Sequence, residues 1–492
     1  MLTRRRFIGY TALTSASLAY RPLLLPGMAQ TPRDTSRPPV RLAVIGNAYQ
    51  YGSNLQSIVD RFLVGYPIEG DWHMPSVQVV SMYIEPKRRA QVAVPIAPRP
   101  SAARGAAQES EGVTLAQSAQ LAARTGGGGG AGGGARAAAA ERAPEHDGPP
   151  GPMDDLSAGR SQEFGFRLCA NIPEALRCGG DHLAVDAVLS IVEQGNYPRN
   201  HKDQILYPRY DYFQQCVQVF QDEGRAVPYF NYNSLSFSFN EAKDMVATSE
   251  KLKFPMLAGS ALPVTWRLPD TDIPLGAQIQ EAVMVGFGGI DSGDFDALEA
   301  MQSMMERRKG GETGVKAVQF LEGDDVWAAG ESGRWSKELL SSAQSRSDAP
   351  QGLTVMDGRP QDMVAAGVLP QLVKDPAAYC IEYTDGTRAT LLMLNGADQD
   401  FTFSARVAGQ GLIATQFFNS PMPNLTFTAA LASKIEHLFT TRSAPYPVER
   451  TLLTSGVLES CLTSREHGNQ RLETPHLCVK YQPPAESQYA RT

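Results

Sequence analysis

Short, continuous apolar runs alternate with segments of helical period through the first half of the chain. Val40–Gly46 is an apolar strand closing on glycine, and Asn54–Val64 repeats its apolar positions at three and four, as a helix does. Further strand-like runs follow at Val77–Ile84, 183–192, 226–232 and 254–260. Between them Asn171-Ile172-Pro173-Glu174 reads as a capped helix start, and Phe213, Cys216, Val217 and Phe220 give the next helix an apolar face used for packing. Ser238 and Glu241 stand three apart, as a capping box requires, and that helix should end before Pro255. Strands alternating with helices predict a parallel sheet. Beyond Pro263 the period becomes two: Ile279, Val283, Val285 and Phe287 lie in one strand, with others at 315–321 and 379–383. Thr384-Asp385-Gly386-Thr387 is a hairpin signal leading into a strand at 389–394. With helices at 297–307, 433–439 and 447–462, this half predicts an α+β domain with an open antiparallel sheet.

Residues 90–160 break the pattern. Their Gly, Ala and Pro runs have no apolar periodicity to offset the entropy of ordering, so a disordered loop is expected inside the first domain. At the other extreme of order, 492 residues with 42% hydrophobic content can bury a large two-domain core. The division expected is a leader at 1–29, a first domain at 40–262 and a second at 263–492.

A net charge of −7 without a dominant Lys/Arg cluster argues against nucleic-acid binding. The six cysteines are too scattered for a zinc site or dithiol centre, and His182, His437 and His476 lack metal-ligand spacing. Thr3-Arg4-Arg5-Arg6-Phe7-Ile8 and the apolar stretch after it resemble a twin-arginine export signal, with cleavage near Gly27-Met28-Ala29. A periplasmic or secreted location is expected. No later run is long enough to span a bilayer, so no membrane association is expected after cleavage.

The opening strand, turn and helix have the order of a Rossmann-type dinucleotide-binding domain. Its phosphate turn usually carries G-x-G-x-x-G, and here only Gly46 matches, in the turn Gly46-Asn47-Ala48-Tyr49, with Tyr51 at the third glycine position. Glu85, at the end of the second strand, stands where ribose hydroxyls would be held, while Lys87, Arg88 and Arg89 leave the 2′-phosphate of NADP equally open. NAD or NADP is therefore the cofactor expectation.

The stretch from Gly224 to Arg267 resembles the part of the Gfo/Idh/MocA oxidoreductases that carries their Glu-Lys-Pro loop, with Tyr232, Asn233 and Ser234 at those three positions. The resemblance covers nearly all of 40–480 apart from the low-complexity loop. It implies a nicotinamide close to Glu193 and Gln194, and it puts Asp296 where the family has its histidine and Ser292 where it has its aspartate. Asp296, Asn233 and Ser292 are thus the candidate catalytic residues. An ordinary aspartate is too acidic to act as base on an alcohol unless burial or another carboxylate raises it; Asp291, Asp294 and Glu299 are near enough in sequence to do so. Arg267 and Glu299 are candidate substrate contacts.

Two functions remain: an exported NAD(P)-dependent oxidoreductase acting on a sugar or other polyol with altered catalytic residues, or a lapsed relative that binds a carbohydrate or a protein partner. Oligomeric state stays open, although an apolar exposed face on the second sheet would give a homodimer by sheet packing.

Overall fold

The computed structural model describes residues 38–86, 155–349, 362–420 and 425–491. The expected leader, Lys87 to Arg89 and nearly all of the low-complexity segment lie outside these. The first half contains β1 (Val40–Gly46), α1 (Asn54–Val64), a hairpin of β2 (Tyr66–Ile68) and β3 (Asp71–His73), β4 (Val77–Ile84), α2 (Ser157–Phe164), β5 (Arg167–Cys169) and α3 (Ile172–Arg177). It continues with β6 (Ala187–Ile191), α4 (Arg209–Asp222), β7 (Tyr229–Tyr232), α5 (Phe239–Leu252) and β8 (Met256–Gly259). Six of its strands form one sheet in the order β5-β4-β1-β6-β7-β8, and every pairing is parallel. The chain builds outward from β1 to β5, then returns to add β6 on the other side. That reversal leaves a crevice beyond the carboxyl end of β1, the place where open α/β sheets receive ligands.

Local sequence explains much of this. Ser53 caps α1 by accepting the Gln56 N–H at 3.1 Å. Gly46 allows close packing, since a β-carbon there would come within 2.8 Å of the Leu55 side chain and 3.2 Å of the Ile191 carbonyl. The capping box at α5 does not form. The Ser236 hydroxyl donates to Glu241 instead, and the Phe239 N–H is given to Glu459 at 2.7 Å, so a distant helix caps this end. The low-complexity segment also ends earlier than expected. Leu156 donates its N–H to the Tyr49 carbonyl and α2 starts at Ser157.

The second half supplies β9 (Arg267–Leu268), β10 (Ile279–Gly286), α6 (Gly293–Met305), β11 (Val315–Glu322), α7 (Asp324–Glu331), α8 (Lys337–Gln344), α9 (Leu369–Leu372), β12 (Ala377–Tyr383), β13 (Arg388–Met393), β14 (Phe401–Val407) and β15 (Gly411–Phe417). It ends with α10 (Thr428–Thr441), α11 (Glu449–Glu466) and β16 (Leu472–Glu473). Its eight-stranded sheet is antiparallel, as expected, except for the one parallel pair β10–β13. The molecule is an α/β domain with a parallel Rossmann-like sheet joined to an α+β domain.

One helix departs from the expected division. α10 packs on the first domain, where Leu431, Ile435, Leu438 and Phe439 share a core with Leu42, Val44, Ile58 and Phe62. Its Glu436 accepts from Tyr66, His73 and Ser76 and holds the β2–β3 hairpin. α8 lies over the outer face of the second sheet, with Leu339, Leu340 and Ala343 against Val283, Val285 and Leu392. The apolar face expected to drive dimerisation is therefore already covered, and the dimer expectation loses its premise. α11, buried nearly all round, is the shared wall between the halves, packing against α5, α6 and β11. Among the described residues, no helix is long and apolar enough to cross a membrane, and no group of three His, Cys, Asp or Glu is arranged to hold a metal.

Candidate active site at the seam of the two sheets

A cavity of about 1490 Å³ opens at the carboxyl ends of the parallel strands, bounded by Asn54 of α1, Glu193 to Tyr197 after β6, Ser292 and Asp296 of α6, and the β11–α7 corner of the second domain. The seam brings together three residues far apart in sequence. The Asn233 amide donates to Glu193 at 3.1 Å and to Asp296 at 3.5 Å, while its own carbonyl oxygen accepts the Ser234 N–H at 2.7 Å. Asn233 is in the left-handed region, φ 65°, a conformation asparagine tolerates better than most residues. Burial, then the charge of Glu193 and then that of Glu299, holds the Asp296 carboxyl well above the ordinary aspartate range. Burial likewise raises Glu193, opposed by Arg209 and the amide of Asn54. The main carboxylate neighbour of Asp296 is thus Glu193, more than 100 residues away, ahead of the adjacent Asp294.

The remaining acids of the α6 segment are structural. Asp294 is buried and accepts from Tyr379 at 2.7 Å and from three backbone N–H groups of its own turn. Ser292 lines the cavity, but its hydroxyl donates to the Gly289 carbonyl at 3.0 Å. Glu299, expected as a substrate contact, instead pins β8 to α11 by accepting the Ser260 N–H at 2.6 Å and the Thr451 hydroxyl at 2.5 Å. It lies where a β-carbon on Gly259, at φ +122°, would fall, so glycine makes room for it. Arg267 is also corrected. Its guanidinium pairs with Asp272 at 2.7 Å and stacks on Tyr489, whose ring centre is 4.0 Å away, well inside the second domain.

Burial pushes Glu299 up to about 7, from 4.5, and Asp291 up to about 7, from 3.8. Because the folded protein keeps these protons to higher pH than the unfolded chain, stability should fall as pH rises from near 4 through 7. Glu299→Gln is expected to flatten part of that fall in unfolding free energies measured across the window, and an unchanged slope would remove Glu299 as its source.

At the expected nucleotide crevice, Gly46 and Asn47 sit at the end of β1. The Asn47 amide bridges the Gln194 carbonyl at 2.5 Å and the Tyr197 hydroxyl at 3.1 Å, and its oxygen accepts the Glu193 N–H at 3.1 Å. Ala48 is half-buried. Tyr49 is core, 1% exposed with its hydroxyl on Asp60 at 2.5 Å, which takes it out of the crevice. Tyr51 is 39% exposed and so neither alters helix packing nor plugs the crevice. Glu85 does stand at the carboxyl end of β4, its N–H on the Gly46 carbonyl, and its carboxylate receives the Tyr197 hydroxyl. Gln194 lines the cavity in the left-handed region, φ 70°, with its N–H on Tyr207 at 3.1 Å.

In outline these residues fit a dinucleotide: a switch point, a helix N-terminus facing the cavity, a close-packed glycine and a carboxylate one strand away. Two groups stand in the path. Tyr197 holds the ribose position, and Glu193 is bound to Asn54 at 2.7 Å across the start of α1.

No protein-family model matches the chain, and no curated protein matches it. Its fold aligns with solved structures at low identity. One is myo-inositol 2-dehydrogenase from Lactobacillus plantarum, 12% identical, covering 88% of this chain and 99% of that one with a TM-score of 0.42. GenD2 from gentamicin A biosynthesis, in complex with NAD, is 11% identical over 91% and 97% of the two chains, with a TM-score of 0.47. The myo-inositol dehydrogenase from Lactobacillus casei, in complex with NAD(H) and myo-inositol, is 9% identical over 88% and 96%, with a TM-score of 0.45.

Three site residues escaped the sequence reading. Arg209, at the start of a helix read only for its apolar packing face, is buried; it donates to the Val192 carbonyl at 3.1 Å and to Ser234 at 2.7 Å, tying β6 to the Asn233 loop. Its position beside Tyr207 at a helix start was the available signal. Asn54 was legible as the first residue of α1. Tyr197 lies in a loop with no periodicity, and nothing local marks it.

Proposed function

We propose that this protein is an NAD(P)-dependent oxidoreductase acting on a sugar or other polyol at the seam. The observation that carries this reading is the Glu193–Asn233–Asp296 set, a buried amide between two half-buried acids, facing the cavity at the switch point of a parallel sheet. A dinucleotide would be held by the turn at Gly46 and Asn47, the N-terminus of α1 and Glu85, and it would supply the acceptor or donor of a hydride. Asp296, whose proton affinity its surroundings raise, gives its proton to a substrate carbonyl oxygen in reduction and takes the hydroxyl proton back in oxidation. Asn233 holds the Asp296 carboxyl in register with Glu193, so the pair shares one negative charge more readily than two. The twin-arginine reading of the N-terminus belongs with this proposal, as that route carries folded, loaded enzymes out of the cytoplasm.

The test is formation of reduced nucleotide on incubation with NAD or NADP and a polyol panel; myo-inositol is the first to try. Oxidation should quicken as pH rises and Asp296 loses its proton, whereas no turnover with either nucleotide across the panel would contradict the proposal. A second reading, a lapsed enzyme that binds carbohydrate alone, is favoured by Tyr197 and Glu193 standing where nucleotide oxygens would lie. Tyr197→Phe separates the two. Removing the hydroxyl takes away one competitor for the Glu85 carboxylate, and a hydrogen bond to a charged group is worth roughly 1.5–3 kcal/mol. Calorimetry should therefore show NAD or NADP binding about tenfold tighter or more, while equal or weaker affinity would favour the lapsed reading.

A further inference from the structure

The two acids of the seam are not served alike. Glu193 takes the Asn54 amide at 2.7 Å and the Asn233 amide at 3.1 Å, whereas Asp296 is left the far side of the Asn233 amide at 3.5 Å. Donors aimed at a carboxylate favour its charged form, so the hydrogen bonds by themselves mark Glu193 as the anion. Arg209 strengthens the asymmetry. Only 4% exposed, it gives one N–H to the carbonyl of Val192, which precedes Glu193, and another to the hydroxyl of Ser234, which follows Asn233. One guanidinium thus clamps both backbone segments that carry the set, its central carbon 4.6 Å from the centre of the Tyr207 ring. Arginine is always charged, and this one makes no direct ion pair among the described residues, so the interior must hold a counter-charge near it. The carboxyls on which its charge acts are Glu193 and Asp291, in each case against the upward push of burial. Asp296 is held up by burial and the like charges of Glu193 and Glu299, with the Ser260 hydroxyl opposing and Asp294 adding a little. Tyr207 and Tyr232 also face Glu193, and burial keeps both phenols neutral.

We propose that Arg209 is the positioning residue that decides which acid of the pair carries the charge: Glu193 stays the anion, and the proton stays on Asp296. This rests on the oxidoreductase reading above and deepens it, since Arg209 lies behind the cavity wall and acts through Glu193. Without that charge Glu193 competes for the proton. Once protonated, Glu193 no longer repels a charge on Asp296, which then ionises more readily and becomes a weaker base.

Carboxyl resonances in nuclear magnetic resonance spectra of the isotope-labelled full chain, assigned with Glu193→Gln and Asp296→Asn, follow both acids through pH without nucleotide, substrate or turnover. In the parent, Glu193 should ionise at lower pH than Asp296. Arg209→Gln keeps a hydrogen-bonding side chain and drops the charge, so it should move the Glu193 midpoint up by roughly one to three pH units, the effect of losing a nearby opposite charge, and move that of Asp296 down. Arg209→Lys, which keeps the charge, should keep the parent's order. In the Glu193→Gln background, Arg209→Gln should leave Asp296 where Glu193→Gln alone puts it. A parent in which Asp296 ionises first overturns the proposal even where no variant folds. Unmoved midpoints in folded Arg209→Gln overturn it too, as do lysine and glutamine variants that titrate alike, which would make Arg209 a clamp only. The expected titrations without turnover across the polyol panel would sink the catalytic reading and leave this assignment of charge standing.

Discussion

Asparagine in place of Asp296 is expected to lower turnover by about 10²- to 10⁴-fold, the range over which a positioned acid or base usually contributes. Nucleotide affinity and fold should be retained. The residue is half-buried at the cavity wall, and its neighbours raise its proton affinity, so replacing the carboxyl by an amide removes the transferable proton while keeping the contact with Asn233. Asparagine also relieves repulsion from Glu193, so the variant should unfold no more easily than the parent. Steady-state rates with an accepted polyol, set beside calorimetric nucleotide affinities, check both halves. A rate within a factor of two of the parent would take Asp296 out of the chemistry.

Glu306→Gln should cost about 3–5 kcal/mol of stability, because it leaves a buried arginine without its counter-charge. Arg450 of α11 meets Glu306 through two contacts, at 2.8 and 2.6 Å, and Tyr481 donates to the same carboxylate at 2.9 Å. The pair fastens α11, which spans the seam, to the end of α6, the helix that carries Asp296. Chemical unfolding measures the loss. The matched apolar replacement Glu306→Leu with Arg450→Met should recover most of it, since removing both partners leaves no orphaned charge. A loss below about 1 kcal/mol in the single variant would mean that the pair is not what joins these helices.

The strands were legible because buried parallel strands are mostly apolar, as Val40–Gly46 and Val77–Ile84 are apart from the exposed Arg41 and Gln78 and the buried Ser81. The helix after β1 was legible for a similar reason, with its cap residue and its period both local. What the sequence could not show is which distant partners fill a site. Glu299 and Arg267 read as substrate contacts from their neighbourhood in the chain, yet Ser260, Thr451, Asp272 and Tyr489 claim them. Tyr49 and Tyr51 are two residues apart, and only burial tells which is core. The return of α10 to the first domain left no mark either, since an amphipathic helix fits any complementary face. The coupling of Asp296 to Glu299 and Asp294 was anticipated, but its largest carboxylate partner, Glu193, reaches it only through the tertiary fold.

The account turns on whether the crevice beyond β1 holds a nicotinamide dinucleotide. The most direct measurement is to denature the purified, folded protein and identify released nucleotide by mass spectrometry, then repeat after incubation with NAD and NADP. The account predicts NAD or NADP in near-stoichiometric amount, in the protein as isolated or after incubation. A fully folded protein that releases neither and takes up neither when supplied would contradict it.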